Sequence, residues 1–339
     1  MKDILLSFDC ISDREVEWMV NAGQRKEIAT GTVLIQEGQP VPTLYIVLAG
    51  TLSLSVAGTF GENQEVAKVS GGEIVGEMSL LDVRPSSVTA LALEPSQVLA
   101  ISQKQLAAKL QQDMGFASRF YRAIAVLLSN RLRGISALLA RSKVVPGQSL
   151  RKVLLVFSEL IDSDIDWTIA TGTGSRVAPG TILIQQGQPA DALYILLEGT
   201  LAVSVSIPQG GSTVSKEIAR LLSGEIVGEM SFIDSQPPSA TVKAPETSFV
   251  LSLPRSGLTA KLQQDLGFAS RFYRAIAVVL LDRLRDRLVQ RGYGNQAYDE
   301  AQPLNEDMEY EDEIDMDVLE NVSLAGARFD WLLRRVQSN

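Results

Sequence analysis

The chain repeats itself. The stretch "GTVLIQEGQP" at 31–40 returns as "GTILIQQGQP" at 180–189, and "GEIVGEMS" at 72–79 returns unchanged at 224–231. A period near 150 residues is a duplicated domain of ordinary size, not a solenoid repeat of 20–50 residues. The offset grows from 149 to 152 between those two pairs, because "SIPQGGSTVSKE" (206–217) is three residues longer than "AGTFGENQE" (57–65). An insertion there marks a hairpin loop, where extra length costs least. From 105–132 to 257–284, 22 of 28 positions are identical, so the C-terminal part of each copy has diverged less than the rest.

Each copy has the same internal order. A short helix comes first. Ser12 and Glu15 form a capping box ahead of "VEWMV", and Trp167 matches Trp18. Short segments rich in Val, Ile, Leu and Thr follow, among them "LYIVLAGTLSLSVAG" and "SSVTALALEPSQVLAIS", with glycines at the corners. Many short strands at this spacing predict a β jelly roll or barrel. A helical block closes the copy. "QKQLAAKLQQD" is interrupted near Gly115, and a long helix then carries the stripe Phe116, Phe120, Ile124, Leu127, Leu128, Leu132, Ile135, Leu139. The fold class expected is mainly β with helices: two jelly-roll barrels, each with an N-terminal helix and C-terminal helices. The expected domains are 1–145 and 146–292, followed by an acidic linker and helix at 293–339.

Composition narrows the chemistry. The chain has no histidine and one cysteine, Cys10. That removes the commonest general base and metal ligand, and an intrachain disulfide cannot form. A reducing, cytoplasmic setting is the default expectation, with no metal, no cofactor and no catalytic residues. No apolar run approaches the ~20 residues of a membrane span, and the apolar core of the N-terminus is too short for a signal peptide. Residues 1–292 hold 28 acidic and 28 basic side chains, whereas 293–339 hold 12 acidic and 3 basic. A neutral body with an acidic tail suits neither DNA nor RNA.

The segments "IVGEMSLLDVRPSSVTA" (74–90) and "IVGEMSFIDSQPPSATV" (226–242) lie between two predicted strands. With helix, strands and two helices around them, they resemble the cassette of cyclic nucleotide-binding domains. Catabolite activator proteins and the regulatory subunits of protein kinase A belong to that family. The resemblance covers 10–141 and 160–290 and implies a jelly-roll fold with a nucleotide pocket. In the family the cassette glutamate binds the ribose, and an arginine after the proline pairs with the cyclic phosphate. Carried over, the glutamates are Glu77 and Glu229, while the arginine positions hold Ser86 and Pro238. The resemblance places Gly76, Glu77, Met78, Ser86, Ser87 and Thr89 in the first pocket. Gly228, Glu229, Met230, Ser239 and Thr241 form the second.

Loss of the arginine has a calculable effect. A hydrogen bond to a charged group contributes roughly 1.5–3 kcal/mol, so binding weakens about ten- to a hundredfold or more. Arg84 can swing in from the side in the first copy; its counterpart is Gln236. The retained "GE" also reads simply as a helix start with an acidic residue near its positive end.

The tail holds eleven acidic residues and no basic ones from 298 to 320, which predicts an extended linker. "SLAGARFDWLLRRVQ" then reads as a helix capped by Ser323, with Phe329, Leu332, Leu333 and Val336 on one face and Trp331 beside them. A helix of ~15 residues is marginal alone. It docks either on its own domains or in a groove of a protein partner. Gln111, Gln112, Arg119 and Arg122 are expected surface positions shared by both copies. The long helices either pair with each other or cover their own domains. The functional expectation is a non-enzymatic regulatory or adaptor protein that does not use the family's arginine–phosphate contact and engages a protein partner. The alternative is a sensor of cyclic nucleotide or another small ligand. No DNA-binding helix pair follows the second long helix.

Overall fold

A computed structural model of the chain describes residues 11–57, 63–82, 84–139, 152–209, 212–289 and 316–338. The described residues form two compact units, 11–124 with 285–289 and 125–284 with 316–338.

The first unit opens with α1 (Asp13–Ala22). Strands β1 (Gln24–Ile28), β2 (Val33–Ile35), β3 (Thr43–Ala49), β4 (Thr51–Ala57), β5 (Asn63–Ser70) and β6 (Ile74–Val75) follow. Then come the short α2 (Met78–Leu81), β7 (Thr89–Ala92), β8 (Ser96–Ser102) and α3 (Gln103–Gln112). The long α4 (Met114–Leu139) begins in this unit. The second copy repeats the pattern, with α5 (Lys152–Glu159) ahead of it. It runs α6 (Asp162–Thr171), β9 (Thr173–Val177), β10 (Ile182–Ile184), β11 (Ala192–Glu198), β12 (Leu201–Gln209), β13 (Ser212–Leu221) and β14 (Ile226–Val227). It continues through α7 (Glu229–Asp234), β15 (Thr241–Lys243), β16 (Ser248–Pro254), α8 (Arg255–Gln264) and α9 (Leu266–Val289), and α10 (Met316–Ser338) is last.

The strands form two four-stranded antiparallel sheets per unit, in the orders β1-β8-β3-β6 and β2-β7-β4-β5, then β14-β11-β16-β9 and β10-β15-β12-β13. The β-rich fold expected from the sequence is present as paired sheets, a sandwich rather than a closed barrel. One core joins them in the second unit: Ile184, Leu201 and Val242 from one sheet meet Leu196, Val227 and Val250 from the other. Strands β12 and β13 pair from Leu201↔Leu221 to Gln209↔Ser212, so the longer insert is a hairpin.

Several local expectations hold. The Ser12 amide donates to Glu15 Oε2 at 2.7 Å, which closes the capping box. Trp18 packs on Phe116 at 5.5 Å between centroids, and Trp167 on Phe268 at 5.2 Å. Phe116, Phe120, Ile124, Leu128 and Leu132 are buried along α4.

Two details differ. The break before the long helix falls at Asp113 rather than Gly115, because the Asp113 carboxylate accepts from the Phe116 amide at 2.9 Å and caps α4. Asp265 does the same for Phe268 at 2.8 Å. Ser323 is not a cap but lies inside α10. That helix starts at Met316, since the apolar positions Val318, Leu319 and Val322 continue its pattern. By contact, the compact units divide inside the long helices, after residues 124 and 284, and α10 belongs to the second unit. The end of each long helix supplies side chains to the cassette of the other copy. Most of the acidic linker lies outside the described residues.

Candidate functional site: two cassettes served by helix arginines

The cassette turn is preserved. Gly76 sits at φ +90°, and a Cβ there would stand 2.5 Å from the Thr43 carbonyl oxygen, so only glycine fits. Gly228 repeats the conformation at φ +88°. Glu77 and Met78 are buried at the start of α2, as is Glu229 at the start of α7, with Met230 beside it half-buried.

The arginine position is tied down by the fold. The Ser86 hydroxyl donates to the Val88 carbonyl at 2.8 Å. The Ser86 amide donates to Gln39 O at 3.1 Å, and its carbonyl accepts from the Gly38 amide at 2.8 Å. In the second copy Pro238 is buried and its carbonyl accepts from the Gly187 amide at 2.9 Å. Thr89 and Thr241 accept from the amides of Glu37 and Gln186, both at 3.1 Å. These hydroxyls thus brace the turn after β2 or β10. Ser87 and Ser239 are half-buried in the same loops. Arg84 is ion-paired with Asp82, two residues away.

The cation beside the second glutamate comes from elsewhere. Arg283 of α9 pairs with Glu229 and donates through Nη2 to the Ile226 carbonyl at 2.6 Å. Glu225 lies 3.8 Å from the same guanidinium. The Arg283 side chain is 15% exposed, and those of Glu225 and Glu229 are 4% and 3% exposed. Burial pulls the Arg283 pKa down, but Glu229, Glu225 and Asp282 outweigh it and hold the charge in place. Two buried carboxylates thus face one guanidinium in the second cassette.

A second set of arginines fixes the cassette ends. Arg133 of α4 bonds both oxygens of Asp234, at 2.7 and 3.0 Å, and donates to the Pro237 carbonyl at 3.0 Å. Ser129 adds a bond to Asp234 at 2.7 Å. Arg285 of α9 reaches Asp82 at 2.5 Å. Burial raises the Asp82 carboxyl, yet Arg84 and Arg285 together hold it below the usual range. Sequence reasoning missed these arginines because it looked for a cation in the loop. Their signal was present: arginines stand at matching positions in both copies (131 and 283, 133 and 285) on an otherwise apolar stripe.

Of the shared surface positions, Gln111, Gln112 and Arg122 are exposed. Arg119 instead binds Glu15, at 2.8 Å through Nε. Arg271 binds Asp164 in the same manner at 2.6 Å.

The tail helix α10 docks on its own unit. Phe329 meets Phe157 of α5 at 5.4 Å, and Arg328 bonds Asp162 at 2.9 Å and the Phe157 carbonyl at 3.1 Å. Leu332 and Val336 are buried, Phe329 and Leu333 are half-buried, and Trp331 is exposed. Gly174 of β9 makes room for Val336, whose Cγ1 would stand 2.4 Å from an added Cβ.

The family model for the cyclic nucleotide-binding domain matches residues 25–113 and 175–265, more than half of the chain. The chain belongs to that family, with two such domains in tandem. Among its relatives is a cGMP-dependent protein kinase of Eimeria tenella, 24% identical over 245 residues, 72% of this chain and 21% of the kinase. The cyclic AMP receptor protein of Thermus thermophilus is 29% identical over 126 residues, 37% of this chain and 56% of the receptor. The chain thus spans a minor part of the kinase and about half of the receptor. Among solved structures, the regulatory domain of Toxoplasma gondii PKA with cAMP is similar over 76% of this chain and 89% of that one, at 21% identity and a TM-score of 0.31.

Proposed function

We propose that the chain is a non-enzymatic regulatory protein whose cassettes do not take cyclic nucleotide through an arginine–phosphate contact, and which acts by binding a protein partner. The observation that carries this reading is Arg283. It joins the long helix to Glu229 and Ile226 directly, and Pro238, at the arginine position, is buried. In the first domain Ser86 is locked into its own loop and Arg84 is held by Asp82. Helix and cassette are bridged within the chain, so no anion is needed between them. Having no histidine and a single cysteine supports the non-enzymatic part, as it does a reducing compartment. Among the described residues no helix is long and apolar enough to cross a membrane, and no cluster of potential ligands could hold a metal.

A second reading, a ligand sensor, draws on the glycine turns at Gly76 and Gly228, which keep the cassette backbone in shape. Calorimetric titration with cyclic AMP and cyclic GMP separates the two. The proposal expects no saturable heat up to about 1 mM ligand, and micromolar binding would replace it with the sensor.

A further inference from the structure

Helix α10 fills a groove on the second unit whose walls are α5, α6 and β9. One face enters it. Ala325, Leu332 and Val336 are buried, and Phe329 meets Phe157 edge-on. Their spacing, i, i+7, i+11 with Phe329 at i+4, is one stripe of a helix. Arg328, at i+3, donates to the Phe157 carbonyl and pairs with Asp162. The far end is set by size, because Val336 rests on Gly174 with the Phe249 ring beside that glycine. An amphipathic helix laid in an apolar groove is a general mode of protein–protein recognition.

The sandwich is complete without this helix. The family match in the second copy, 175–265, does not include α10. The first copy builds the same pair of sheets with Val16 and Val20 half-buried, where the second copy buries Ile165 and Ile169. The polar contacts of α10 lie at the rim. Asp162 is 80% exposed in its side chain, and Gln337 donates to Glu198 at 2.6 Å in an exposed contact. Exposed pairs add little, so the apolar stripe carries the docking. A segment held by so few buried contacts opens more easily than the strands beneath it. We propose that α10 is an autoinhibitory helix, seated in cis in a groove that takes an amphipathic helix of a partner protein. The partner helix carries the same ridge: a small residue at i, an arginine at i+3, an aromatic at i+4, and aliphatic residues at i+7 and i+11, the last no larger than valine. The proposal rests on the protein-partner reading and gives it a surface and a means of regulation. A tethered helix competes at an effective concentration of about 1 mM, so the partner meets a closed groove until α10 is drawn off.

Hydrogen exchange and a peptide titration of the full chain test this. In the parent, amides of 325–336 are expected to exchange at least about tenfold faster than those of β11 and β16. Equal protection would make α10 a fixed part of the unit and overturn the proposal. The probe for the groove is a fluorescent peptide of residues 316–338. Leu332→Asp with Val336→Asp in the full chain expels α10 and is expected to tighten peptide binding at least about tenfold over the parent. Bound peptide is expected to return that variant's melting curve toward the parent's, which separates an open groove from a misfolded unit. Phe329→Ala, a milder change, is expected to move binding in the same direction. Binding equal to the parent's in both variants, or none in either, would overturn the proposal. Adding Gly174→Val is expected to abolish binding, and binding that survives it would overturn the assignment of the groove. A peptide that keeps only Ala325, Arg328, Phe329, Leu332 and Val336, with alanine, glutamate or lysine elsewhere, is expected to bind with similar affinity. Its failure would overturn the chemistry given for the partner. The nucleotide titration reads the cassettes, so the partner reading and this inference fail separately.

Discussion

Single residues set the chemistry of each cassette. Arg283 is the clearest case, because it comes from the long helix and pairs with the buried Glu229. Removing it by Arg283→Met leaves Glu229 and Glu225 buried without their guanidinium. Breaking such a pair from one side costs about 3–5 kcal/mol, and urea denaturation should show a loss of that size. Ser86→Arg tests the other cassette: restoring the contact of roughly 1.5–3 kcal/mol should raise cyclic nucleotide affinity ten- to a hundredfold in calorimetry. Glu15 sets a pH dependence. Burial raises its pKa, but hydrogen bonds from Arg119 and Ser12 and the guanidinium charge hold it below the ordinary value. Its stabilisation is therefore complete above the ordinary glutamate range, about 4.3, and is lost as pH falls through the lower folded value. Glu15→Gln should flatten the decline of melting temperature with acid in that window.

At the scale of elements, the tail helix is selective for one copy. Gly174 gives Val336 its place, and the matching residue of the first copy is Arg25 on an exposed strand. Gly174→Val should undock α10, with hydrogen exchange speeding up across 325–336 while the first unit keeps its protection. Much of this level was legible beforehand. The repeat, the strand-rich middle and the stripe on the long helix all followed from spacing, because one apolar face must meet a core. The apolar face Phe329–Leu332–Leu333–Val336 was legible too, but not its destination. That rests on a glycine in a strand and a helix, α5, whose apolar pattern says nothing of its neighbours. The extent of α10 was misread since Ser323 is as ordinary inside a helix as at its start.

For the whole molecule, repeats in the sequence and compact units in space are different divisions. Asp82 of the first copy takes Arg285 from the second, and Asp234 of the second takes Arg133 from the first. Periodicity alone cannot reveal this, since it records what a helix buries and not which loop meets its end. The exchange predicts that Arg133→Ala, a change in the first copy, loosens the second. Amide exchange at 229–238 should rise, whereas a mutation confined to its own repeat would leave that cassette protected. Asp234 is 2% exposed in its side chain, so the loss of its partner is not made good by water.

The span between Asp82 and Arg285 is 203 residues. At ~5–20 residues per second of synthesis, it takes the ribosome roughly 10–40 s to travel from one to the other. For that interval the first sandwich waits with its aspartate beside Arg84 alone of the two arginines. The nascent chain must stay soluble in this unfinished form, and its first cassette reaches the final set of contacts only after most of the second has been made.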